Sequence, residues 1–232
     1  MSIKHLTLVA AFALTAPAYA ITVNVTDFSF GFASTLPITS GPVGSPSNPL
    51  AGQVTGTYSD GPAASAFKFG VTEAVSGTSF TAYCAELTQD LGFNITYTDY
   101  SWQTGLDHFG ADKTTALSKL FTAAQGLVHD AATSAAMQAG IWEILYETGT
   151  VYSLSNGAFK VDVPAGDEAA FAAMNSILGN LDEGYEALYT INVLSSGINQ
   201  DLLVGTIPEP GTWALFAAGL GMLGFIAKRR KR

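Results

Sequence analysis

From Ile21 onward the chain alternates: Ile21, Val23 and Val25 take every second position, and aromatics follow at Phe28, Phe30 and Phe32. A period of two marks a half-buried strand, so residues 21–34 are expected to be extended. The next stretch, TLPITSGPVGSPSNPL at 35–50, holds four prolines among Gly and Ser and reads as a loop. Three further strands are expected at 53–59 (QVTGTYS), 65–73 (SAFKFGVTE) and 79–87 (SFTAYCAEL), each rich in Thr, Val and aromatics, and a shorter one at 93–98 (FNITYT).

At Asp112 the period changes. Leu117, Leu120, Phe121 and Ala124 recur at helical spacing behind Asp112, a residue suited to an N-cap. The segment AATSAAMQAGIWEILYETG sets Met137, Ile141, Ile144 and Leu145 on one stripe and ends at Gly149, a natural C-cap position. Residues 166–184 repeat the pattern as a third helix, and VYSLSNGAFKVDV between them reads as a hairpin turning at Asn156-Gly157. Strand character returns at 186–196 and 200–205. This order predicts an α+β fold, a β-rich, sandwich-like frame with a helical block at about 112–184 inserted as a subdomain.

The two ends have a different texture. Residues 1–20 carry Lys4, an apolar run from Leu6 to Ala16 and the small-residue pattern Ala18-Tyr19-Ala20. That is the pattern of a secretory signal peptide cleaved before Ile21. At the other end, residues 207–232 hold an uncharged apolar run, taken as a transmembrane segment at about 211–227, followed by Lys228, Arg229, Arg230, Lys231 and Arg232. The basic tail is expected to stay cytoplasmic while residues 21–206, one globular domain, are exported.

Without those ends the charge balance is strongly acidic. Between Ile21 and Ile207 there are four lysines, Lys68, Lys113, Lys119 and Lys160, against 18 Asp and Glu, a net charge of −14. Such a surface repels nucleic acid, so no nucleic-acid partner is expected. Only His108 and His129 lie outside the leader, there is no Cys-x-x-Cys, and no acidic loop has EF-hand spacing. No metal or other cofactor is expected.

One residue stands out against this background. Cys84, in TAYCAELTQ, is the only cysteine, so in an exported chain it has no disulfide partner of its own. Three readings are open from the residues alone. Cys84 is a small buried hydrophobe, or it is a nucleophile activated by His108 or His129 in a thiol hydrolase, or it works with another side chain. Gln138 is a candidate for the last role, because it sits on the apolar stripe beside Met137 and Ile141, one turn from Trp142. A buried amide needs hydrogen-bond partners, and the backbone alone would also satisfy it.

Two resemblances bear on these segments. Pro208-Glu209-Pro210, an apolar helix and a terminal Arg/Lys cluster resemble the PEP-CTERM sorting signal of Gram-negative bacteria that make exopolysaccharide. The resemblance implies handling by a membrane-embedded exosortase and delivery to the cell surface or matrix. Tyr83-Cys84-Ala85-Glu86 with the distant Gln138-Ala139-Gly140-Ile141-Trp142 resembles the thioester domains of bacterial surface adhesins; WEILYE and NGAFKV resemble the version carried by PEP-CTERM proteins.

The second resemblance implies an internal Cys84–Gln138 thioester used once, for covalent attachment to an amine or hydroxyl on a partner. The chain is then a reactive adhesin and not an enzyme in the usual sense. Tyr83, Met137, Ile141 and Trp142 would surround the bond, with Glu86 and Glu143 as candidates for hydrogen bonding or proton transfer. A matrix- or polysaccharide-associated surface protein without the bond, and a cysteine-dependent hydrolase, are the competing expectations.

Overall fold

In the computed structural model, which describes residues 20–31, 33–42, 48–60 and 78–207, the alternating segment is strand β1 (Ile21–Phe28), with Ile21, Val23 and Val25 buried. The Pro-rich stretch expected to be loop contributes three short strands, β2 (Ser34–Thr35), β3 (Ile38–Ser40) and β4 (Leu50–Ala51). Strands β5 (Val54–Asp60) and β6 (Thr78–Cys84) follow. The strand expected at 65–73 lies outside the described residues. Strand β7 (Ile95–Thr104) runs well past the expected FNITYT, since Tyr100, fully buried, extends its inward row.

The helical block opens with a short helix the spacing did not suggest, α1 (Gly105–Phe109). It continues with α2 (Ala111–Ala123), α3 (Ala131–Tyr146), α4 (Glu168–Gly179) and α5 (Leu181–Gly184). Gly110, not Asp112, is the N-cap of α2, and Asp112 lies in its first turn, where a carboxylate suits the helix dipole. Helix α3 stops at Tyr146, three residues before Gly149, because Glu147 turns to extended backbone. The third expected helix breaks at Asn180 into α4 and α5. In place of the expected hairpin, β8 (Lys160–Val161) pairs with β3, Ile38 opposite Val161. The chain closes with β9 (Thr190–Ser195) and β10 (Leu202–Thr206).

The frame is a barrel and not the expected sandwich. Strands run in the order β1-β5-β6-β10-β9-β7, and β1 pairs antiparallel with both β5 and β7. Closure pairs the edges that two open sheets would leave exposed. The inward row, including Val23, Val25, Val54, Phe80, Tyr100, Leu194 and Leu202, forms one core cluster. Gly56 is required there: a Cβ would collide with the Asn24 carbonyl and meet the Phe80 ring at 3.0 Å.

A second, larger core joins the outside of the barrel to the helices. It contains Tyr83, Ile191 and Leu203 from the strands, Leu117 and Leu120 from α2, Ile141 and Trp142 from α3, and Phe171 and Met174 from α4. The expected signal peptide and transmembrane segment lie outside the described residues, and among those described no helix is long and apolar enough to cross a membrane.

Candidate functional site

Helix α3 is the element on which the site is built. Its N-terminus is fixed by a reciprocal cap, in which the Thr133 N–H donates to Asp130 Oδ1 (2.8 Å) and the Asp130 N–H donates to Thr133 Oγ1 (3.1 Å). Every residue from Thr133 to Ile144 is buried, so the helix is enclosed by the barrel rim, α2 and α4. Gly140 permits that enclosure, because a Cβ there would stand 2.9 Å from Met174 Sδ on α4.

Along α3, side chains four residues apart meet the backbone at the barrel rim. The Gln53 N–H, just before β5, donates to Ser134 Oγ (2.6 Å). Gln138 reaches Cys84 at the end of β6. The Leu87 N–H, three residues further on, donates to the Tyr146 hydroxyl (2.9 Å). Trp142 fills the remaining place in this row, 1 % exposed. The i, i+4 spacing stacks these residues along one side of the helix.

The contact at the centre is bidentate. The Cys84 N–H donates to Gln138 Oε1 at 2.8 Å, and Gln138 Nε2 donates to the Cys84 carbonyl at 2.8 Å. Gln138 is 0 % exposed and Cys84 8 %. Cys84 is the last residue of β6, paired with Leu202 of β10, where the strand leaves the barrel and α3 covers it. Burial pushes the Cys84 thiol up to about 12, helped by the charge of Glu86, so the sulfur is held as a neutral thiol.

Of the other residues singled out in the sequence, Trp142 shares a cavity with Cys84, and Ile141 lies fully buried in the core beside it. Tyr83 and Met137 line a different cavity, of about 230 Å³, with Phe121 and Tyr189; the Tyr83 and Phe121 rings meet edge to face, centroids 6.0 Å apart. Burial raises the Tyr83 phenol well above its ordinary value.

Glu86 points toward β10, where its Oε1 accepts the Asp201 N–H (3.2 Å) and its own carbonyl accepts Gln200 Nε2 (2.6 Å). Burial, ahead of hydrogen bonding and neighbouring charges, raises its pKa.

Glu143 does not join the pair. Its Oε1 accepts the Ser153 N–H (2.7 Å), and burial holds its carboxyl up at about 7.

The two histidines are engaged elsewhere. His108 sets Nδ1 2.9 Å from Gln103 Oε1 and Nε2 3.1 Å from Asp201 Oδ2. His129 is largely exposed beside Asp130, 3.6 Å from its carboxylate. Among the described residues no group of three or more His, Cys, Asp or Glu side chains is gathered as metal ligands would be.

Ser134, Tyr146 and Gln89, the last on the wall of the cavity that Cys84 and Trp142 share, were not foreseen from the sequence. The signal for the first two was present, as polar atoms spaced by four and eight residues from Gln138 on a mostly apolar helix.

Comparison with known proteins bears on the address and the fold. Residues 206–231 match the PEP-CTERM protein-sorting motif. The chain therefore carries the signal of an exported protein sorted to the cell envelope, and that motif implies processing by an exosortase. No curated protein matches the chain. Among solved structures it is similar to the N-terminal thioester domain of a surface protein from Clostridium perfringens, with a TM-score of 0.44 and 12 % identity over 81 % of this chain and 99 % of that one.

Proposed function

We propose that this exported surface protein stores an internal thioester between Cys84 and Gln138 and spends it in a single covalent attachment to a nucleophile on a partner. The observation that supports this most is the double hydrogen bond between the Gln138 carboxamide and the Cys84 backbone, 2.8 Å in each arm and shielded from water.

The geometry suits the chemistry. An amide is a poor electrophile, so the reaction needs the two side chains held in place and the developing oxyanion stabilised. The Cys84 N–H already donates to Gln138 Oε1, the oxygen on which that charge would grow. The thiol sulfur bonds to the amide carbon, the C–N bond breaks, and the thiol proton leaves with the nitrogen as ammonia. An amine or hydroxyl then attacks the same carbon, an amide or ester forms, and Cys84 is released as a thiol. Burial between β6 and α3 keeps hydrolysis from ending the stored state first.

The remaining parts of this reading concern the ends of the chain. Residues 1–20 act as the signal peptide, residues 211–227 hold the protein in the membrane at least until exosortase acts, and Lys228 to Arg232 stay cytoplasmic.

The test is the intact mass of the purified chain. The bonded form lacks one ammonia, and Cys84→Ala or Gln138→Ala restores the full mass. A wild-type chain with no deficit and a thiol that titrates freely after unfolding overturns the proposal. It would leave Gln138 as a structural amide whose needs the Cys84 backbone already meets, in a surface protein that binds without a covalent bond. Repeated turnover dependent on His108 or His129 would favour a hydrolase instead.

A further inference from the structure

Cys84 lies on the wall of a cavity of about 250 Å³ that also touches Trp142, Gln89, Asp90 and the aromatic pair Phe28 and Phe93, whose ring centroids are 4.9 Å apart. Leu50, another wall residue, is 56 % exposed, whereas Trp142 is 1 % exposed, so the cavity runs from solvent to Cys84, behind which Gln138 lies.

Two buried polar atoms on residues of this wall have no hydrogen-bond partner among the described residues: the indole Nε1 of Trp142, a donor, and Oε1 of Gln89, an acceptor. Orphaned polar groups are costly in a folded interior, and a donor and an acceptor left open beside one cavity describe what should fill it. The occupant must accept one hydrogen bond and donate another. A hydroxyl does both.

An alkylammonium offers only donors. It would leave the Trp142 N–H unanswered and facing a positive charge, and the Asp90 carboxylate would hold it protonated, the form with no lone pair for attack. The aromatic walls suit the C–H faces of a sugar ring. The net charge of −14 between Ile21 and Ile207 disfavours an anionic sugar.

We infer that the nucleophile accepted at Gln138 is a hydroxyl of a neutral sugar residue, admitted through this cavity, and that the product is an ester. The inference rests on the thioester reading above. The hydroxyl oxygen bonds to the Gln138 carbonyl carbon, the carbon–sulfur bond breaks, and the hydroxyl proton ends on the Cys84 sulfur. No oxidant or cofactor is needed. The Trp142 N–H and Gln89 Oε1 orient the sugar and act as specificity-determining groups.

The test offers the full-length chain, in mild detergent, equal concentrations of a neutral methyl glucoside or an N-acetyl-lysine amide. Intact mass counts the adducts, and alkaline hydroxylamine separates esters, which it cleaves, from amides, which survive. Yields are divided by the fraction of chain that lacks ammonia. The expected result is a several-fold excess of the ester adduct over the amide, and a several-fold fall in that ratio in Trp142→Phe, which keeps an aromatic ring, though a smaller one, and loses the N–H.

Gln89→Leu, at a half-buried loop position, is expected to lower the ratio in the same direction and carries the test if Trp142→Phe does not fold. A predominant lysine adduct in wild type, or a ratio unmoved in the folded variants, overturns the inference while leaving the thioester intact. Absence of the ammonia deficit in wild type overturns both.

Discussion

The middle and the C-terminal end of α3 hold their neighbours by opposite means. In the middle, Ser134 and Gln138 grip the barrel rim with uncharged groups, and the Cys84 thiol and Tyr83 phenol beside them are held neutral by burial. At the end, charge is used openly. Lys113 Nζ donates to the carbonyls of Ile144 and Glu147 at 2.5 Å each, which caps the helix with a cation.

Glu147 gathers the loop that follows, accepting the N–H groups of Thr148 (2.8 Å) and Ala158 (2.7 Å). Gly157 is obligatory there, at φ +116° and with its α-carbon facing the Glu147 carboxylate too closely for a side chain. The difference teaches where reactivity can be kept. On the thioester reading proposed above, the bond would sit where the described hydrogen bonds come from uncharged groups, while charges fix the loop beyond.

The largest effect is expected from breaking the neutral end. In a Cys84→Ala background, where the carboxamide stays intact, Gln138→Ala strips partners from two buried backbone groups at position 84, each worth about 1–3 kcal/mol when left unsatisfied, so urea unfolding should show a loss of about 2–6 kcal/mol. Gln138→Glu is the sharper variant, since it brings the chemistry of the charged end into the neutral one. A carboxylate cannot donate to the Cys84 carbonyl but a protonated carboxyl can, so this variant should regain stability as the pH falls. Equal urea midpoints at pH 5 and pH 8, relative to the Cys84→Ala parent, would contradict that account.

The charged end makes the complementary prediction. The Glu143 carboxyl is raised from 4.5 to about 7 by burial, so between those values the folded chain holds a proton that the unfolded chain has lost. Its contribution is complete below pH 4.5 and is lost as the pH rises through about 7. Glu147 is shifted the other way, below 4.5, chiefly by the Ala158 N–H, so its contribution is present above 4.5 and is lost as the pH falls through its folded value. Glu143→Gln should flatten the decline on the neutral side and Glu147→Gln the decline on the acid side. Urea midpoints measured from pH 3 to 8 check both, and a Glu143→Gln chain that keeps the wild-type slope between 4.5 and 7 refutes the assignment.

How much of this was legible depends on range. Period two at Ile21–Val25 and the helical spacing around Leu117 and Met137 located β1, α2 and α3, because burial imprints a local rhythm. Closure of the barrel left no local trace: it rests on β1 pairing with β7, about 75 residues away, and on parity shared by strands far apart in sequence. Cys84 and Gln138 were singled out by residue type and resemblance, and they do meet. Glu143, four residues from Ala139 and next to Trp142, was grouped with them on proximity in sequence. The helix turns it by about 100° from Trp142, toward Ser153. The turn falls at Leu154-Ser155 and Asn156-Gly157 only bends, and the segment after it found its strand partner in β3, a pairing that depends on a proline-rich stretch read as loop.

A smaller effect is expected at the boundary between the two ends. Tyr146→Phe removes the acceptor for the Leu87 N–H without changing the ring, at a cost of about 1–2 kcal/mol in urea unfolding. If α3 acts as one rigid clasp, the variant also slows ammonia loss at Gln138, although Tyr146 lies two turns from it. A change in stability with unaltered bond formation would mean that the two ends are independent.

The smallest effect tests what seats the helix. Glycine inside α3 costs about 1 kcal/mol relative to alanine, a cost tolerated because α4 comes close enough for Met174 Sδ to stand 2.9 Å from where a Cβ would be. Met174 is flexible, so Gly140→Ala should change stability by under about 1 kcal/mol, the helical gain offset by the displaced thioether. Bond formation is the more telling readout. Gly140 is two residues from Gln138, and displacement of α3 from α4 would press the carboxamide against Cys84 or draw it away. A Gly140→Ala chain of near wild-type stability that forms the bond more slowly would show that the close α3–α4 seat sets the reach of Gln138. A chain unchanged in both would show that the two hydrogen bonds to Cys84 suffice to set it.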